Sequence, residues 1–174
     1  VKEALIALTI GMEQQNHKDW IEKIHEWKRS KTIKSSLGDG YFSAQDVFDV
    51  LNDIKADTDI MTTDVGQHQM WAAQFNKAEA PRTFINSGGM GTMGFGMGAS
   101  IGAKMAHPDR KVVLVTGDGS FHMNLNELVT LRSYNLPVVI IVMNNSVLGM
   151  VRQWQKLFYG NRFSQTDPHR ATDF

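Results

Sequence analysis

Two strongly apolar stretches of this chain each end in a short polar motif, with one predicted helix between them. Residues 111–116 run into the Gly-Asp-Gly of residues 117–119, and residues 137–143 run into the Asn-Asn of residues 144–145. Apolar strands alternating with helices are typical of parallel sheets, whose strands end at one edge. The 24 residues from 120 to 143 therefore place an Asp and an Asn at the same edge. Both offer hard oxygen ligands, which suit a Mg²⁺ ion that also holds a phosphate.

Each motif alone has a plainer interpretation. Gly117 and Gly119 allow a tight turn, and the free amides of a following helix favour a phosphate, but Asp118 could equally cap a helix in a surface turn. Asn144 and Asn145 are also typical of a plain turn, because Asn tolerates left-handed backbone conformations. No Gly-Lys-Ser/Thr follows, so the motif is not a Walker A loop.

A glycine-rich segment, residues 87–98, admits an alternative. Gly89, Gly91 and Gly94 match G-x-G-x-x-G after a predicted strand, and Asp118 ends the next strand, as in a dinucleotide-binding fold. That alternative explains neither the glycine after Asp118 nor the Asn pair. A third interpretation is structural: the glycines let a small-residue helix pack closely on the sheet.

The pattern along the chain predicts an α/β fold with a doubly wound, mostly parallel sheet. A capping-box-like Ser43 to Asp46 opens a helix expected to bury Val47, Leu51 and Ile54. The remaining predicted elements alternate: strand 59–63, helix 66–75, strand 82–85, helix 92–106, strand 111–116, helix 122–134, strand 137–143 and helix 148–159.

Both ends of the chain look truncated, and we expect a fragment of a longer protein. Residues 1–34 differ from the rest and predict the tail of a preceding domain, with a helix over 19–34 and a linker at 34–40. Residues 35–174 would form the second domain. The formal net charge of +0 gives no reason to expect nucleic acid or an anionic membrane as partner. The apolar runs are strand-sized, and the absence of Cys fits a cytoplasmic protein.

Other chemistry-bearing residues are few. His68 follows a predicted strand at a helix start, where it could donate to a phosphate or substrate oxygen, although a lone His is more often structural. No second His lies at metal-ligand spacing, which argues against zinc, and there is no Gly-x-Ser-x-Gly nucleophile elbow. Trp154 and Phe158 share a helix face, and we expect Phe158 to pack in the core.

Taken together, these motifs resemble one family. The Gly-Asp-Gly and Asn-Asn motifs with their spacing are similar to the signature of thiamine-diphosphate enzymes that act on 2-oxo acids. Residues 66–74, 87–91, 93–96 and 148–154 resemble corresponding blocks of the acetolactate synthase (acetohydroxyacid synthase) catalytic subunits. The resemblance runs from about Ser36 to Phe174. It implies the thiamine-diphosphate-binding fold, and residues 1–34 resemble more weakly the end of that family's flavin-associated domain.

The resemblance also implies roles for individual residues. Mg²⁺ would be bound by Asp118 and Asn145 through their side chains and by Val147 through its carbonyl. Gly91 would receive the aminopyrimidine through its carbonyl, Met93 would press beneath the cofactor, and Trp154 would line the substrate pocket. The remaining residues implied to bind the cofactor are Gln67, His68, Gly119, Ser120, Gly149 and Met150, of which Met150 would also border the substrate pocket.

The implied reaction condenses pyruvate with a second 2-oxo acid, pyruvate or 2-oxobutyrate, with loss of CO₂. The resemblance further implies FAD bound mainly outside this chain, a homodimer or tetramer of catalytic subunits, and a small regulatory subunit. It places the catalytic Glu outside this chain, so the fragment alone is expected to be inactive. Another thiamine enzyme, such as a pyruvate oxidase or carboligase, a nicotinamide-dependent oxidoreductase, and a degenerate assembly domain remain alternatives.

Overall fold

The computed structural model describes residues 1–30, 40, 42–168, 172 and 174. The chain divides into two compact units, Val1–Ser36 and Leu37–Phe174. Apart from Gly40, the predicted linker at residues 34–40 lies outside the described residues. The assignment of residues 1–34 and 35–174 to a preceding domain and a cofactor-binding domain stays a prediction.

The first unit contains two helices among its described residues, α1 (Lys2–Thr9) and α2 (Lys18–Ser30). On α2, Trp20 and Trp27 pack edge to face, with ring centroids 5.6 Å apart. Neither helix has a buried residue. The apolar side of α2 is therefore a solvent-facing surface in the described part of this unit. The predicted end of this helix, at residues 31–34, lies outside the described residues.

The second unit is built on a parallel sheet that has four strands within the described ranges. These are β1 (Ile60–Thr63), β2 (Phe84–Ile85), β3 (Val112–Gly117) and β4 (Val139–Met143), in the spatial order β2-β1-β3-β4. All three pairings are parallel. The predicted α/β architecture with a parallel sheet is confirmed.

Helices cover both faces of this sheet. They are α3 (Ala44–Ile54), α4 (Gln67–Phe75), α5 (Phe95–Ala106), α6 (Asp118–Asn124), α7 (Leu128–Ser133) and α8 (Gly149–Phe158). Adjacent residues of β3 divide between the faces: Val115 packs with the cluster that contains Phe48 of α3, and Leu114 packs with Met97 of α5. This alternation is what the period-2 geometry of a strand requires when both faces are covered. None of the described helices has the length and apolar character needed to cross a bilayer.

The capping box predicted at the start of α3 is present. The Ser43 amide donates to the Asp46 carboxylate at 2.7 Å, and the Asp46 amide donates to the Ser43 hydroxyl at 3.2 Å. The backbone and side-chain hydrogen bonds from Ser43 lower the pKa of Asp46. The helix buries Phe48 and Leu51, whereas Ile54, which we expected to be buried, is 66% exposed. Ile54 is the last residue of the helix.

Several elements begin or end away from their predicted positions, for local backbone reasons. β2 contains only Phe84–Ile85 because Arg82 has a φ of 63°, which is incompatible with a strand. α5 begins at Phe95 rather than residue 92, because Gly94 is left-handed. The helix predicted over 122–134 starts earlier, at Asp118, and is interrupted by a 3₁₀ turn, Leu125–Glu127, before α7.

Candidate functional site

A cavity of about 180 Å³ opens at the carboxyl ends of β1, β3 and β4. Every residue for which we predict a cofactor-binding role borders it: Gln67, His68, Gly91, Met93, Asp118, Gly119, Ser120, Asn145, Val147, Gly149 and Met150. The other residues that border it are Val65, Gly66, Trp71, Gly117, Met143, Leu148 and Val151. A largely apolar cavity with a few polar groups is the usual form of a small-molecule or cofactor site.

The sheet register explains why the two polar motifs meet. β3 and β4 are neighbours, with Gly117 opposite Met143. Asp118 follows the first of these residues directly and Asn145 follows the second by two positions, so both lie at the same edge. Asp118 is buried, with 5% of its surface exposed, whereas Asn145 is exposed.

The oxygen atoms at this edge fit a magnesium ion better than a transition metal. Asp118, Asn145 and Val147 border the same cavity. Within the described ranges, no group of three or more His, Cys, Asp or Glu side chains could hold a metal ion. A metal here would therefore use one carboxylate, one amide oxygen and a backbone carbonyl, and take its other ligands from substrate oxygens or water. Few protein ligands, all oxygen, is the arrangement that Mg²⁺ tolerates well.

His68 is a buried, neutral imidazole beside this edge. Only 5% of its surface is exposed. Burial lowers the pKa of His68 to about 4, although the carboxylates of Asp64 and Asp118 and the Asp64 backbone act in the opposite direction. Its Nε2 has no hydrogen-bond partner among the described residues. A buried ring nitrogen without a partner is costly unless a ligand or water satisfies it, which makes His68 a candidate ligand contact.

Gly117 makes room for this imidazole. A Cβ atom at position 117 would lie 2.7 Å from His68 Nδ1 and 2.9 Å from its Cε1. The glycine before Asp118 therefore serves close packing of the His68 ring as well as the turn. The predicted motif and the predicted histidine, far apart in the sequence, are in contact.

Ser120 has its hydroxyl hydrogen committed. Its Oγ donates to the backbone carbonyl of Val65 at 2.7 Å, which ties the first turn of α6 to the loop after β1. A hydroxyl has a single hydrogen, so toward an anion Ser120 can contribute its backbone amide but not its side chain. If Ser120 contacts a diphosphate, as predicted, it would donate from its backbone amide and not from its hydroxyl.

Sequence reasoning missed Asp64, which organises the same edge from β1. Its carboxylate accepts from the Gly96 amide at 2.9 Å and from the Thr116 hydroxyl at 2.8 Å, and it is 1% exposed. It thereby joins the start of α5, which lies in the glycine-rich segment, to the end of β3. The signal was available, since Asp64 is a carboxylate directly after a predicted strand, as Asp118 nearly is.

Gln153 was also missed. It accepts a hydrogen bond from Gln67, which in turn accepts one from Asn145, at 2.9 Å and 3.2 Å respectively. Nothing in the sequence pattern distinguishes Gln153 from other polar residues of α8. Only the packing of α8 against the start of α4 reveals it.

Trp154 borders a second cavity, of about 430 Å³, and not the first. Met150 and Val151 border both. The Trp154 ring is 56% exposed and packs edge to face on Phe158 at 5.5 Å. The expectation that Phe158 packs in the core is wrong, because it is 68% exposed.

The strand order disfavours the dinucleotide-binding alternative. In that fold, the strand before the glycine-rich turn and the strand after the following helix are neighbours. Here β2 precedes the glycine-rich loop and β3 follows α5, but β1 lies between them. Asp118 is therefore not on the strand next to the loop's own strand, where the ribose-binding acid would have to be.

Residues 64–174 match the protein family described as "Thiamine pyrophosphate enzyme, C-terminal TPP binding domain". The matched stretch begins at Asp64 and contains every residue that borders the first cavity.

Three similar curated proteins are named as acetolactate synthase large subunits. The chain is 46% identical over 176 residues to the probable acetolactate synthase large subunit of Methanocaldococcus jannaschii, covering 98% of this chain and 30% of that protein. It is 45% identical over 161 residues to the acetolactate synthase large subunit of Haemophilus influenzae, covering 92% and 28%. It is 44% identical over 157 residues to the acetolactate synthase isozyme 3 large subunit of Escherichia coli, covering 90% and 27%. The chain thus spans less than a third of the length of these relatives.

Proposed function

The chain belongs to the thiamine pyrophosphate enzymes, whose C-terminal TPP binding domain it contains at residues 64–174, and we propose that it is the cofactor-binding part of an acetolactate synthase catalytic subunit. The proposed reaction condenses pyruvate with a second 2-oxo acid and releases CO₂. Pyruvate as the second acid would yield acetolactate, and 2-oxobutyrate would yield acetohydroxybutyrate, a first common step toward branched-chain amino acids. The supporting observation is that the residues with cofactor roles in the resemblance all border one cavity at the carboxyl edge of the sheet.

The metal end of this site would be formed by β3 and β4. Asp118 and Asn145 would bind Mg²⁺ by side-chain oxygens, and Val147 by its carbonyl. The diphosphate would lie against Gln67, His68 and the first amides of α6. The unpartnered Nε2 of buried His68 supports a ligand contact at that end, and a bound anion would also favour its protonated form.

The ring end of the site would be formed by the glycine-rich loop. The Gly91 amide donates to the Ser87 carbonyl at 2.9 Å and the Thr92 amide donates to the Ser87 hydroxyl at 3.1 Å. These bonds brace the loop and leave the Gly91 carbonyl to receive the aminopyrimidine. Met93, half-buried at the cavity wall, would pack against the cofactor. When bound, thiamine diphosphate supplies the electron sink for decarboxylation of the 2-oxo acid.

The second cavity supports a substrate role for α8. Met150 borders both cavities and Trp154 borders only the second, so this helix would place Trp154 beside a substrate that reacts at the first cavity. An aromatic wall at that point would discriminate between second substrates by the apolar contact it offers their side chains.

The proposal for the full-length protein extends beyond this chain. It includes FAD, bound mainly outside this chain, assembly of catalytic subunits into a dimer or tetramer, a small regulatory subunit, and a cytoplasmic location. The relatives' name, large subunit, supports a smaller partner subunit; the other features come from the resemblance alone.

The test is product identification with the full-length protein. Pyruvate, thiamine diphosphate and Mg²⁺ are supplied, with and without FAD, and the expected product is acetolactate, lost in Asp118→Ala. Acetaldehyde or acetyl phosphate as product would retain the cofactor and reject the acetolactate synthase assignment. NAD binding without turnover would reject the cofactor as well.

A further inference from the structure

Three side-chain amides form a continuous chain from α8 to the metal edge of the site. Gln67 Nε2 donates to Gln153 Oε1 at 2.9 Å, and Asn145 Nδ2 donates to Gln67 Oε1 at 3.2 Å. The remaining amide oxygen, Asn145 Oδ1, accepts from the Val147 amide at 3.1 Å. The chain therefore runs from the helix that bears Trp154, through the start of α4, to a residue proposed to bind the metal.

The hydrogen bonds between these amides all run in one direction, because each amide has one donor end and one acceptor end. Gln153 presents its oxygen to Gln67, whose nitrogen points toward α8 and whose oxygen points toward Asn145. Asn145 must then turn its nitrogen toward Gln67, which leaves Oδ1 on the side of the Val147 loop. Only the oxygen of an amide binds a metal ion. Reversal of Gln67 would place its NH₂ against the NH₂ of Asn145 and favour reversal of Asn145 too.

The hydrogen-bonded amides of Gln67 and Asn145 pack directly against Gly149. A Cβ atom at this position would collide with Gln67 Oε1 and would lie 2.7 Å from Asn145 Nδ2. Gly149 is the first residue of α8, so the helix that carries Gln153 also supplies the gap through which Gln67 and Asn145 meet. The approach of the two amides is thus built into the backbone of α8.

We propose that Gln153 is a positioning residue for the metal site, which sets the orientation of Asn145 through Gln67 so that an oxygen faces Mg²⁺. Gln153 does not border the first cavity and would touch neither cofactor nor metal. The proposal rests on the proposed function, since it needs Mg²⁺ at Asn145. It adds a residue of α8 to the determinants of metal affinity.

The test is a double-mutant cycle in the full-length protein. Gln153→Met removes the oxygen that accepts from Gln67. It is combined with Asn145→Asp, whose side chain presents an oxygen to the metal in either orientation. Mg²⁺ is titrated at saturating thiamine diphosphate, and binding is followed by calorimetry. Gln153→Met alone should weaken Mg²⁺ binding roughly tenfold, as loss of residues that orient metal ligands commonly does. In the Asn145→Asp background the same change should alter affinity by less than about twofold, since no orientation remains to be lost.

Two further variants separate positioning from general damage. Gln153→Glu keeps an acceptor for Gln67 and should restore Mg²⁺ affinity relative to Gln153→Met. Asn52→Leu removes a comparable half-buried amide on α3, one that donates to the Phe75 carbonyl and accepts from the Lys77 amide away from both cavities. It should lower the melting temperature without changing Mg²⁺ affinity.

The outcomes distinguish this inference from the proposed function. Equal weakening by Gln153→Met in the unmodified and the Asn145→Asp backgrounds, or none in either, would overturn the positioning role while leaving the cofactor assignment intact. Failure of the unmodified protein to bind thiamine diphosphate with Mg²⁺ would overturn both.

Discussion

The imidazole of His68 lies directly over the backbone of Gly117, so that a Cβ at position 117 would be 2.7 Å from its Nδ1. Gly117 has a φ of −107°, which any residue can adopt. The requirement for glycine is therefore one of space and not of backbone conformation. It joins the end of β3 to the start of α4 at the point where the site is built.

Gly117→Ala is expected to displace His68 and to weaken binding of thiamine diphosphate. Overpacking of a closed site costs about 1–3 kcal/mol in the free energy of unfolding. Denaturant unfolding and calorimetric titration of the cofactor measure the two effects. Gly98→Ala is the matched control: it lies in α5, a Cβ there meets nothing within 4 Å, and it should be neutral or stabilising. Equal behaviour of the two variants would contradict the packing argument.

Stability is expected to fall on mild acidification because of His68. Its folded-state pKa of about 4 lies below the ordinary histidine value of 6.5. Between these two pH values the unfolded state therefore binds a proton at His68 and the folded state does not. The stabilisation is complete above the unfolded pKa and is lost as the pH falls from about 6.5 toward 4. By pH 5 this single group should cost about 2 kcal/mol relative to pH 7.5.

Urea unfolding at the two pH values, without cofactor, checks this expectation. His68→Gln removes the titrating group, and its free energy of unfolding should change less between pH 7.5 and pH 5 than that of the unmodified protein. An identical pH dependence in both proteins would show that His68 is not the group responsible.

Thr116→Val is expected to destabilise the protein through Asp64. The variant keeps the shape of the side chain but removes the hydroxyl that donates to the Asp64 carboxylate at 2.8 Å. Because that carboxylate is buried, loss of a charge-assisted bond should cost about 1.5–3 kcal/mol. Thr116→Ser, which retains the hydroxyl, should lose less. Chemical denaturation of the three proteins settles the order, and a Ser variant no more stable than the Val variant would reject the role of the hydrogen bond.

Trp154→Leu is expected to change substrate selection more than stability. The ring is 56% exposed, so the free energy of unfolding should change by only about 0.5 kcal/mol. The ratio of acetohydroxybutyrate to acetolactate formed by the full-length protein from mixed 2-oxo acids should shift several-fold, because apolar contact with the second substrate is lost. An unchanged ratio would remove Trp154 from the proposed substrate pocket.

The sequence allowed the order of elements and the meeting of two strand ends to be predicted, because both depend on local periodicity and on the shared polarity of parallel strands. Apolar runs before Asp118 and Asn144 implied β3 and β4, and their pairing follows from one helical crossover. The resemblance supplied the cofactor roles of Gln67, His68 and the glycine-rich segment. The fold then brought those residues to the same cavity.

What could not be predicted depends on contacts between elements distant in the chain. Asp64 stands at a recognisable strand end, but its partners Gly96 and Thr116 are known only from the fold. Gln153 acquires its role only when α8 packs beside Gln67. The break between α6 and α7 likewise has no periodic signal. Exposure of Ile54 and Phe158 was missed because helical spacing identifies an apolar face but not what covers it.

The position of β1 in the sheet has a consequence for how the polypeptide is made. β1 precedes the other strands in the chain but pairs with two that emerge later from the ribosome, beginning at residues 84 and 112. During translation β1 has no strand to pair with until β2 has been synthesised, and its other edge stays unpaired until β3 follows. The edge that gathers Asp64, Asp118 and Asn145 is therefore complete only after synthesis has passed β4, so ability to bind a ligand there would report that the last strand has joined.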